Sequence, residues 1–453
     1  MYRTRTGLYH ERFELSYLTR GLILVGFVFV LLFYIGCVPN QQSGNNPPPT
    51  NANTDVVANS NANAAANTSN ESAASRIPIT LPVVDALLSD EDFLSEVRRS
   101  VQPTDEQLDK LRNMARDSVL QLDENEIEDA NRSTRGSLAN ADKKIKEILG
   151  KDSGDRFLQL AREYWSRGEQ EVSLKPNQVP TDTRLVINAP AYRMDLFQEG
   201  KLIKSYKIGI GYPEFPLPVG VRTAKEIIFN PVWTPPDEPW VKGEFAPGKK
   251  VEAGDKKNPL GVLKIPIGLP SLIHGGKNPA RLGTFASHGC VGLTNQLVQE
   301  FAVHLASLSG TSLTTEQIKG YEKNRKETSE VDLSKPVPVE LRYETILVDD
   351  GKIHIYRDVY ERGTNTEENL NRVLEVYGIS LNDLTPEEQT KVRDALKKMA
   401  IDAHGKPVEE GGEDKKPSTS DKVTKTMKGE KEIVIDIAAL KGKGYPLPAN
   451  INS

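Results

Sequence analysis

Residues 271–295 read Ser271-Leu-Ile-His274-Gly-Gly-Lys-Asn-Pro-Ala-Arg-Leu-Gly-Thr-Phe-Ala-Ser287-His288-Gly289-Cys290-Val-Gly-Leu-Thr-Asn295. The whole chain has six histidines and two cysteines, and this stretch holds two of the former and one of the latter. A thiol becomes a strong nucleophile as a thiolate, and an imidazole within reach can take its proton. His274 lies sixteen positions before Cys290, and His288 lies two before it. A glycine follows each histidine, which suits tight backbone turns and open access to the sulfur. Backbone N–H groups around Gly289 and Cys290 are expected to form an oxyanion hole. A helix predicted from Thr294 to Leu308 adds a modest positive field nearby.

Three plainer readings stand beside thiol catalysis. Free cysteine is often a buried structural thiol, although an unpaired thiol in an exported chain invites oxidation. His274, His288 and Cys290 could bind zinc with His304 as a fourth ligand, but the usual Cys-x-x-Cys or His-x-x-x-His pairing is absent. His304 is equally explained as a residue beside the apolar face formed by Leu297, Phe301 and Leu305. The glycines could also mark only a turn.

His274 followed by Ser287-His288-Gly289-Cys290 resembles the signature of the YkuD-type L,D-transpeptidases. The flanks carry the same resemblance: Pro216-Leu217-Pro218-Val219-Gly220, Asn230-Pro231-Val232-Trp233, Asn258-Pro259-Leu260-Gly261, and Asn278-Pro279 with Gly283. It covers about Thr181 to Leu308 and extends toward Tyr343. It implies a mainly-β catalytic domain that acts on peptidoglycan stem peptides through a cysteine thioester, with no metal and no organic cofactor. It assigns Cys290 as nucleophile, His274 as general acid and base oriented by a carbonyl such as that of Gly275, and His288 as an auxiliary group. Ser287, Gly289 and Asn295 are implied in substrate binding. One departure stands out: Gly292 occupies the position where the family has arginine, and Arg281 and Lys277 are the candidates to supply a charge there. A related L,D-carboxypeptidase or thiol hydrolase, and a non-catalytic wall-binding lipoprotein, are the alternative functions.

Outward from this stretch the period of apolar residues is two. Arg184 to Asn188 reads as a strand, and Tyr192, Met194 and Leu196 alternate with polar neighbours. The turn from Gln198 to Lys201 leads into Leu202 to Ile210, which completes a hairpin. Eight prolines between Pro213 and Pro247 exclude long helices and predict loops joining short strands. Further strands are expected at Leu260 to Ile267, Ser271 to Ile273, Pro338 to Tyr343, Thr345 to Val348 and Lys352 to Tyr356. Helices follow at Glu367 to Tyr377 and Pro386 to Met399, the second opened by Thr385 and Glu388 at capping-box spacing. Lys431 to Leu440 reads as a last strand that docks back on the core.

Upstream the period is helical. Val84, Leu87, Leu88, Leu94 and Val97, then Leu108, Leu111, Ala115, Val119 and Leu120, fall three and four apart. Helix starts are read at Pro103-Thr104-Asp105-Glu106 and at Ser153, and acidic runs such as Asp123 to Glu126 as solvated helix faces. No chemistry is assignable to this segment. The fold class is therefore multidomain: a mainly-β catalytic domain, an N-terminal all-helical domain and a short helical C-terminal extension. The expected boundaries are a helical accessory domain at 77–170, the catalytic domain at 180–345, a strand plus two helices at 346–403, a linker at 404–430 and a C-terminal segment at 431–453.

The chain begins with basic residues, followed by the sixteen uncharged residues Gly21 to Gly36 and then Cys37. That length suits an export signal better than a full membrane span. Tyr34-Ile35-Gly36-Cys37 resembles a bacterial lipoprotein signal, which implies lipidation of Cys37 with 1–37 as signal peptide; the alternative is an uncleaved signal anchor. Residues 38–76 hold almost no large apolar side chains and are expected to be a disordered tether reaching a few tens of ångströms. The expected location is the exported, periplasmic side of the cell envelope, anchored to a membrane. At 453 residues the chain exceeds one typical domain. Its net charge of −5 excludes a broadly basic nucleic-acid binder, and two cysteines exclude a disulfide-stapled scaffold.

Overall fold

Short apolar runs at period two build the centre of this protein. The computed structural model describes residues 77–120, 134–166, 175–233, 250–268, 271–403, 405, 407, 424 and 426–449. The predicted signal at 1–37 with Cys37, the tether at 38–76 and the acidic run Asp123 to Glu126 lie outside these residues. Among the described residues no helix is long and apolar enough to cross a membrane.

The helical segment contains α1 (Leu81–Leu88), α2 (Glu91–Ser100), α3 (Asp105–Leu120), α4 (Thr134–Leu149) and α5 (Lys151–Trp165). Val84, Leu87, Leu88, Leu94, Val97, Leu108, Leu111 and Ala115 are all buried in one core. The last helix starts two residues before the expected Ser153, because Gly150 at positive φ supplies its N-cap. Phe93 anchors the cluster, with its ring edge-on to Phe157 and Tyr164 at 5.9 and 5.2 Å.

The strands that follow are β1 (Arg184–Asn188), β2 (Arg193–Gln198), β3 (Lys201–Lys207), β4 (Ile210–Gly211) and β5 (Gly220–Phe229). Next come β6 (Leu263–Pro266), β7 (Leu272–His274), β8 (Phe285–Ser287) and β9 (Val291–Gly292), then helices α6 (Asn295–Ser309) and α7 (Thr315–Lys323) and the strand β10 (Ser329–Arg342). Eight strands form one sheet in the order β3-β2-β1-β10-β5-β6-β7-β9. The pairs β1–β10 and β7–β9 are parallel and the others antiparallel. Strands β4 and β8 pair separately. Helix α6 lays Val298, Phe301, Ala302, Leu305 and Ala306 on the sheet, and each large side chain so buried contributes roughly 1.5–3 kcal/mol. Thr294 caps its first turn and Gly310, in the left-handed region, ends it.

Three elements differ from the sequence expectation. The proline-rich region contains a ten-residue strand, β5, because the gap between Pro218 and Pro231 is free of proline. Strand β10 has fourteen residues rather than the expected six, running back to Ser329. A register break between Asp332 and Val337 absorbs Pro336, after which Val337 pairs with Ala224 and Pro338 with Thr223. Helix α7 was unreadable as an amphipathic stripe because it buries only Ile318.

The C-terminal region also needs correction. Strands β11 (Ile346–Asp349) and β12 (Lys352–Tyr356) precede helices α8 (Glu367–Val376) and α9 (Pro386–Met399). Strand β13 (Glu432–Asp436) then closes a separate three-stranded sheet by pairing with β12. The extension is thus a helix-covered sheet rather than a short helical piece, and the segment from 431 is part of it. The described C-terminal end of the expected linker is packed rather than loose, against the residues that precede the linker. Arg357, 1% exposed, donates to the carbonyls of Asp402, Lys428 and Glu430 at 2.9, 3.1 and 2.6 Å, fastening the two ends of that segment together. Beyond β13, Tyr445 covers the outer face of β2, with its hydroxyl donating to Asp195 at 3.2 Å. Ala449 exchanges backbone and side-chain hydrogen bonds with Ser205 on the sheet's edge strand β3, which blunts an open edge.

His354 on β12 clasps the last strand through Glu432 and also bonds Asp349 at 2.8 Å. Burial lowers its pKa, but the two carboxylates together outweigh burial and push it up to about 9. A folded pKa above the unfolded value of 6.5 gives a contribution fully present below pH 6.5 and lost as pH rises through about 9. Melting curves of His354→Gln against wild type are expected to show a deficit near pH 6.5 that closes above about pH 9. A deficit independent of pH contradicts the clasp.

Candidate active site

The position of each functional side chain follows from the short parallel pair β7–β9. Ile273 registers with Val291 and His274 with Gly292. Ile273 and Val291 are fully buried on the core face. Because side chains alternate along a strand, Leu272, His274 and Gly292 lie on the opposite face, and Cys290 sits in the bend that directly precedes β9. His274 is buried, and Cys290 is half-buried.

The turn that carries the sulfur is held by side-chain to backbone bonds. Ser287 Oγ donates to the Cys290 carbonyl at 2.5 Å and accepts from the Cys290 N–H at 3.0 Å. Ser271 Oγ donates to the Gly289 carbonyl at 2.9 Å. Gly289 sits at φ 82°, a conformation that disfavours a side chain. Ser287 Oγ and the Cys290 backbone are thus partners of each other within the turn.

Asn295 also has a structural task. Its Oδ1 accepts from the N–H groups of Val262 and Gly276 at 3.1 and 2.8 Å, tying the loop before β6 to the loop after β7. The flanking asparagines behave alike. Asn230, at φ 46°, donates from Nδ2 to the Tyr321 carbonyl at 2.9 Å, and Asn258 to the Pro231 carbonyl at 2.6 Å. The backbone groups of irregular loops are satisfied in this way where no ladder is available.

His274 Nδ1 bonds the Gly275 carbonyl at 2.7 Å. A carbonyl only accepts, so Nδ1 carries the proton and Nε2 is the free base. Burial, then the charge of Lys277, lower the pKa of His274 to about 3, against the opposing Gly275 bond. The imidazole is neutral at ordinary pH. Burial raises the pKa of the Cys290 thiol, opposed by a bond from the Leu272 main chain and by Lys277. The resting pair is therefore thiol and imidazole, not thiolate and imidazolium.

His288 lies apart from this exchange. Its ring is edge-on to Phe215 and Tyr212, at 4.4 and 5.3 Å between centroids. The loop carrying Phe215 passes close by: a Cβ on Gly211 would meet the Phe215 carbonyl at 2.0 Å. Arg281, one of the two candidate cations, is bonded to the Phe285 carbonyl, whereas the Lys277 stem lies over Gly292. Among the described residues no group of three His, Cys, Asp or Glu side chains is arranged to hold a metal. His304 is on α6 near Glu300, at 3.9 Å.

Sequence reasoning missed what holds the loop over His288. Thr80, the N-cap of α1, donates to the Glu214 carbonyl at 2.7 Å, and Thr134 at the start of α4 donates to the Pro213 carbonyl at 3.3 Å. The buried Glu214 carboxylate accepts from the Thr424 hydroxyl at 2.8 Å and from its N–H at 3.3 Å. Tyr360 Oη donates to the Gly211 carbonyl at 3.0 Å. The only signal in the sequence for these long-range contacts is the N-cap threonine itself, and that predicts a helix start, not a partner.

Residues 182–332 match the family model of the YkuD L,D-transpeptidase catalytic domain. No curated protein matches the chain. Among solved structures, the chain is similar to a mutant Enterococcus faecium L,D-transpeptidase at 15% identity, covering 36% of this chain and 50% of that one, with a TM-score of 0.22. The catalytic domain of the E. faecium L,D-transpeptidase is 18% identical, covered completely by 36% of this chain, with a TM-score of 0.22. An L,D-transpeptidase from Mycobacterium smegmatis is 17% identical over 36% of this chain and 58% of that one, with a TM-score of 0.21. The chain thus spans about half the length of the mutant E. faecium protein. Residues 182–332, which hold most of the eight-stranded sheet, are thus similar to the YkuD-type L,D-transpeptidase catalytic domain.

Replacing Glu214 tests the brace on the loop. Glu214→Ala removes the acceptor of two Thr424 donors in a buried setting, so a loss of about 1–3 kcal/mol is expected in chemical denaturation. Limited proteolysis should cut within Tyr212 to Leu217 sooner than in wild type. An unchanged stability and cleavage pattern contradicts the brace.

Proposed function

We propose that this protein is a cell-wall L,D-transpeptidase that works through a thioester on Cys290. The observation that carries this reading is a neutral imidazole on β7, fixed as the Nδ1–H tautomer by Gly275 and paired in register with the strand that begins directly after a half-buried thiol, inside the segment that matches the YkuD-type domain. In the first step His274 Nε2 takes the Cys290 Sγ proton as the sulfur attacks the carbonyl between a diamino acid and the terminal D-alanine of a stem peptide. The same nitrogen returns that proton to the leaving amine, D-alanine departs, and a thioester remains. An amine on a second stem peptide or an anchored protein then attacks the thioester, gives its proton to His274, and leaves as an amide while the thiol reforms. No metal or organic cofactor is needed for these transfers.

His288, packed against Phe215 and Tyr212, orients the Cys290 turn in this scheme rather than moving protons. Ser287 holds the nucleophile by its backbone. The export signal, Cys37 lipidation and the flexible segment to residue 76, read from the sequence, would tether the enzyme to a membrane within reach of its fixed substrate.

Defined muropeptides supply the test. Wild type should release D-alanine and accumulate cross-linked dimers, whereas shortened monomers alone would assign a carboxypeptidase and no product a binding protein. Cys290→Ala and His274→Ala should each lower turnover by at least about 10³-fold. Ser287→Ala should lose about 5–30-fold, the equivalent of 1–2 kcal/mol of hydrogen bonding. Full exchange in Cys290→Ala overturns the assignment.

A further inference from the structure

Gly292 offers no side chain beside Cys290, and another residue fills the space. A Cβ built on Gly292 would lie 2.8 Å from Cγ, 3.1 Å from Cε and 3.4 Å from Cδ of Lys277. The lysine stem therefore lies flat across the bare backbone of β9. Lys277 is held there by its own main chain, whose N–H donates to the Leu293 carbonyl at 3.0 Å. Leu293 in turn donates to the His274 carbonyl at 2.9 Å. The side-chain direction at Gly292 is the face of its register partner His274, and Cys290 is two residues before it in the chain. Lys277 is half-buried, with its stem on that face.

We propose that Lys277 is a positioning residue of this site, whose stem, laid across Gly292, carries the positive charge that stabilises the Cys290 thiolate. The inference rests on the reading of Cys290 as the nucleophile. Its charge acts on both members of the pair, opposing the upward pull of burial on the thiol and adding to the downward pull on the imidazole. A cation does both, since it favours a nearby anion and disfavours a nearby cation. Lys277, from the loop after β7, is the charge that acts on the sulfur, and the titratable groups on the neighbouring elements are His274 on β7 and His288 in the turn before β9. Arg281 is turned to the Phe285 carbonyl and Glu214 to Thr424. A methylene stem leaves the charge mobile at its end, yet Gly292 permits the stem to approach the strand more closely than any larger residue allows. The glycine and the lysine then form one device: adding a methyl group at 292 must displace Lys277.

The device predicts a coupling that a structural role does not. In the full-length protein, alkylation of Cys290 by iodoacetamide is followed across pH, with the Cys290 peptide resolved from the Cys37 peptide by mass. Lys277→Gln should raise the pH midpoint of alkylation by about 0.5–1 unit, so that the rate near neutral pH falls about 3–10-fold. Lys277→Arg should keep the midpoint within about 0.2 unit of wild type. Gly292→Ala should shift it in the same direction as Lys277→Gln, and the double variant should go no further than Lys277→Gln alone. Added salt should raise the wild-type midpoint and leave that of Lys277→Gln in place. A midpoint unmoved in Lys277→Gln overturns the inference. If Lys277→Gln fails to fold by circular dichroism, an unmoved midpoint in Gly292→Ala overturns it instead. These outcomes are separate from failure of the transpeptidase reading, in which wild type yields no D-alanine release although its thiol is still alkylated.

Discussion

Two residue pairs of parallel ladder, Ile273 with Val291 and His274 with Gly292, carry the geometry of this site. The pairing has a fixed consequence because strand side chains alternate. With Ile273 and Val291 buried in the core, their strand neighbours His274 and Gly292 face the other way, and Cys290 directly precedes the strand. A slip of one residue would send the isoleucine out of the apolar interior. The register is therefore protected by the same apolar burial that stabilises the sheet, with α6 packed against it through Val298, Phe301 and Leu305. Short strands are weakly specified alone, and here their ends are fastened by Ser271, Ser287 and Asn295, each bonding backbone groups that the ladder leaves over.

The helical segment and the C-terminal extension are joined to this geometry rather than appended to it. Thr80 and Thr134, from two helices, and Thr424, from the stretch after α9, converge on Pro213 and Glu214. Glu361 accepts from the N–H groups of Thr134 and Arg135 at 3.0 and 3.1 Å, linking the extension to the start of α4. Its carboxyl is held above the ordinary range, at about 7, by burial against those opposing backbone bonds. Val219, just before β5, is itself part of the helical core, and Arg222 on that strand donates to the Trp165 carbonyl at 2.7 Å. The loop over His288 is thus restrained from three sides, and the entropy of ordering it is offset by several independent bonds.

Much of this was legible in the residues, and the failures follow a rule. Period-two alternation located β1, β2 and β12, because their inward faces are large and apolar. The cysteine and the upstream histidine were identifiable because few residue types can perform that chemistry. The backbone bonds of Ser287 and Asn295 were not legible, because a hydroxyl or an amide in a motif satisfies the backbone as readily as it binds a substrate. Helix α7 and the first half of β10 escaped notice because one buries only Ile318 and the other crosses Pro336 at a register break. Contacts across more than a hundred residues, such as Thr80 with Glu214, leave no local pattern at all. The merging of β13 with β11 and β12 is of the same kind: an apolar run predicts a strand, but not the sheet it joins.

Burial sets opposite demands on the two reacting groups, and the site settles them without a resident ion pair. Removing water raises the thiol and lowers the imidazole, so both are neutral at rest. A neutral thiol is less exposed to oxidation than a stored thiolate, which matters for a sulfur with no disulfide partner among the described residues. In the proposed reaction the proton moves when the carbonyl arrives, and not before. That transfer would create an imidazolium in a place where burial and Lys277 both oppose it, so the protonated histidine would be a strong acid toward the leaving amine. The Gly275 carbonyl, accepting from Nδ1, is a fixed dipole that favours the imidazolium. A site arranged in this way favours the passage of one proton in and out over its retention, which is what a two-step acyl transfer through a single imidazole requires.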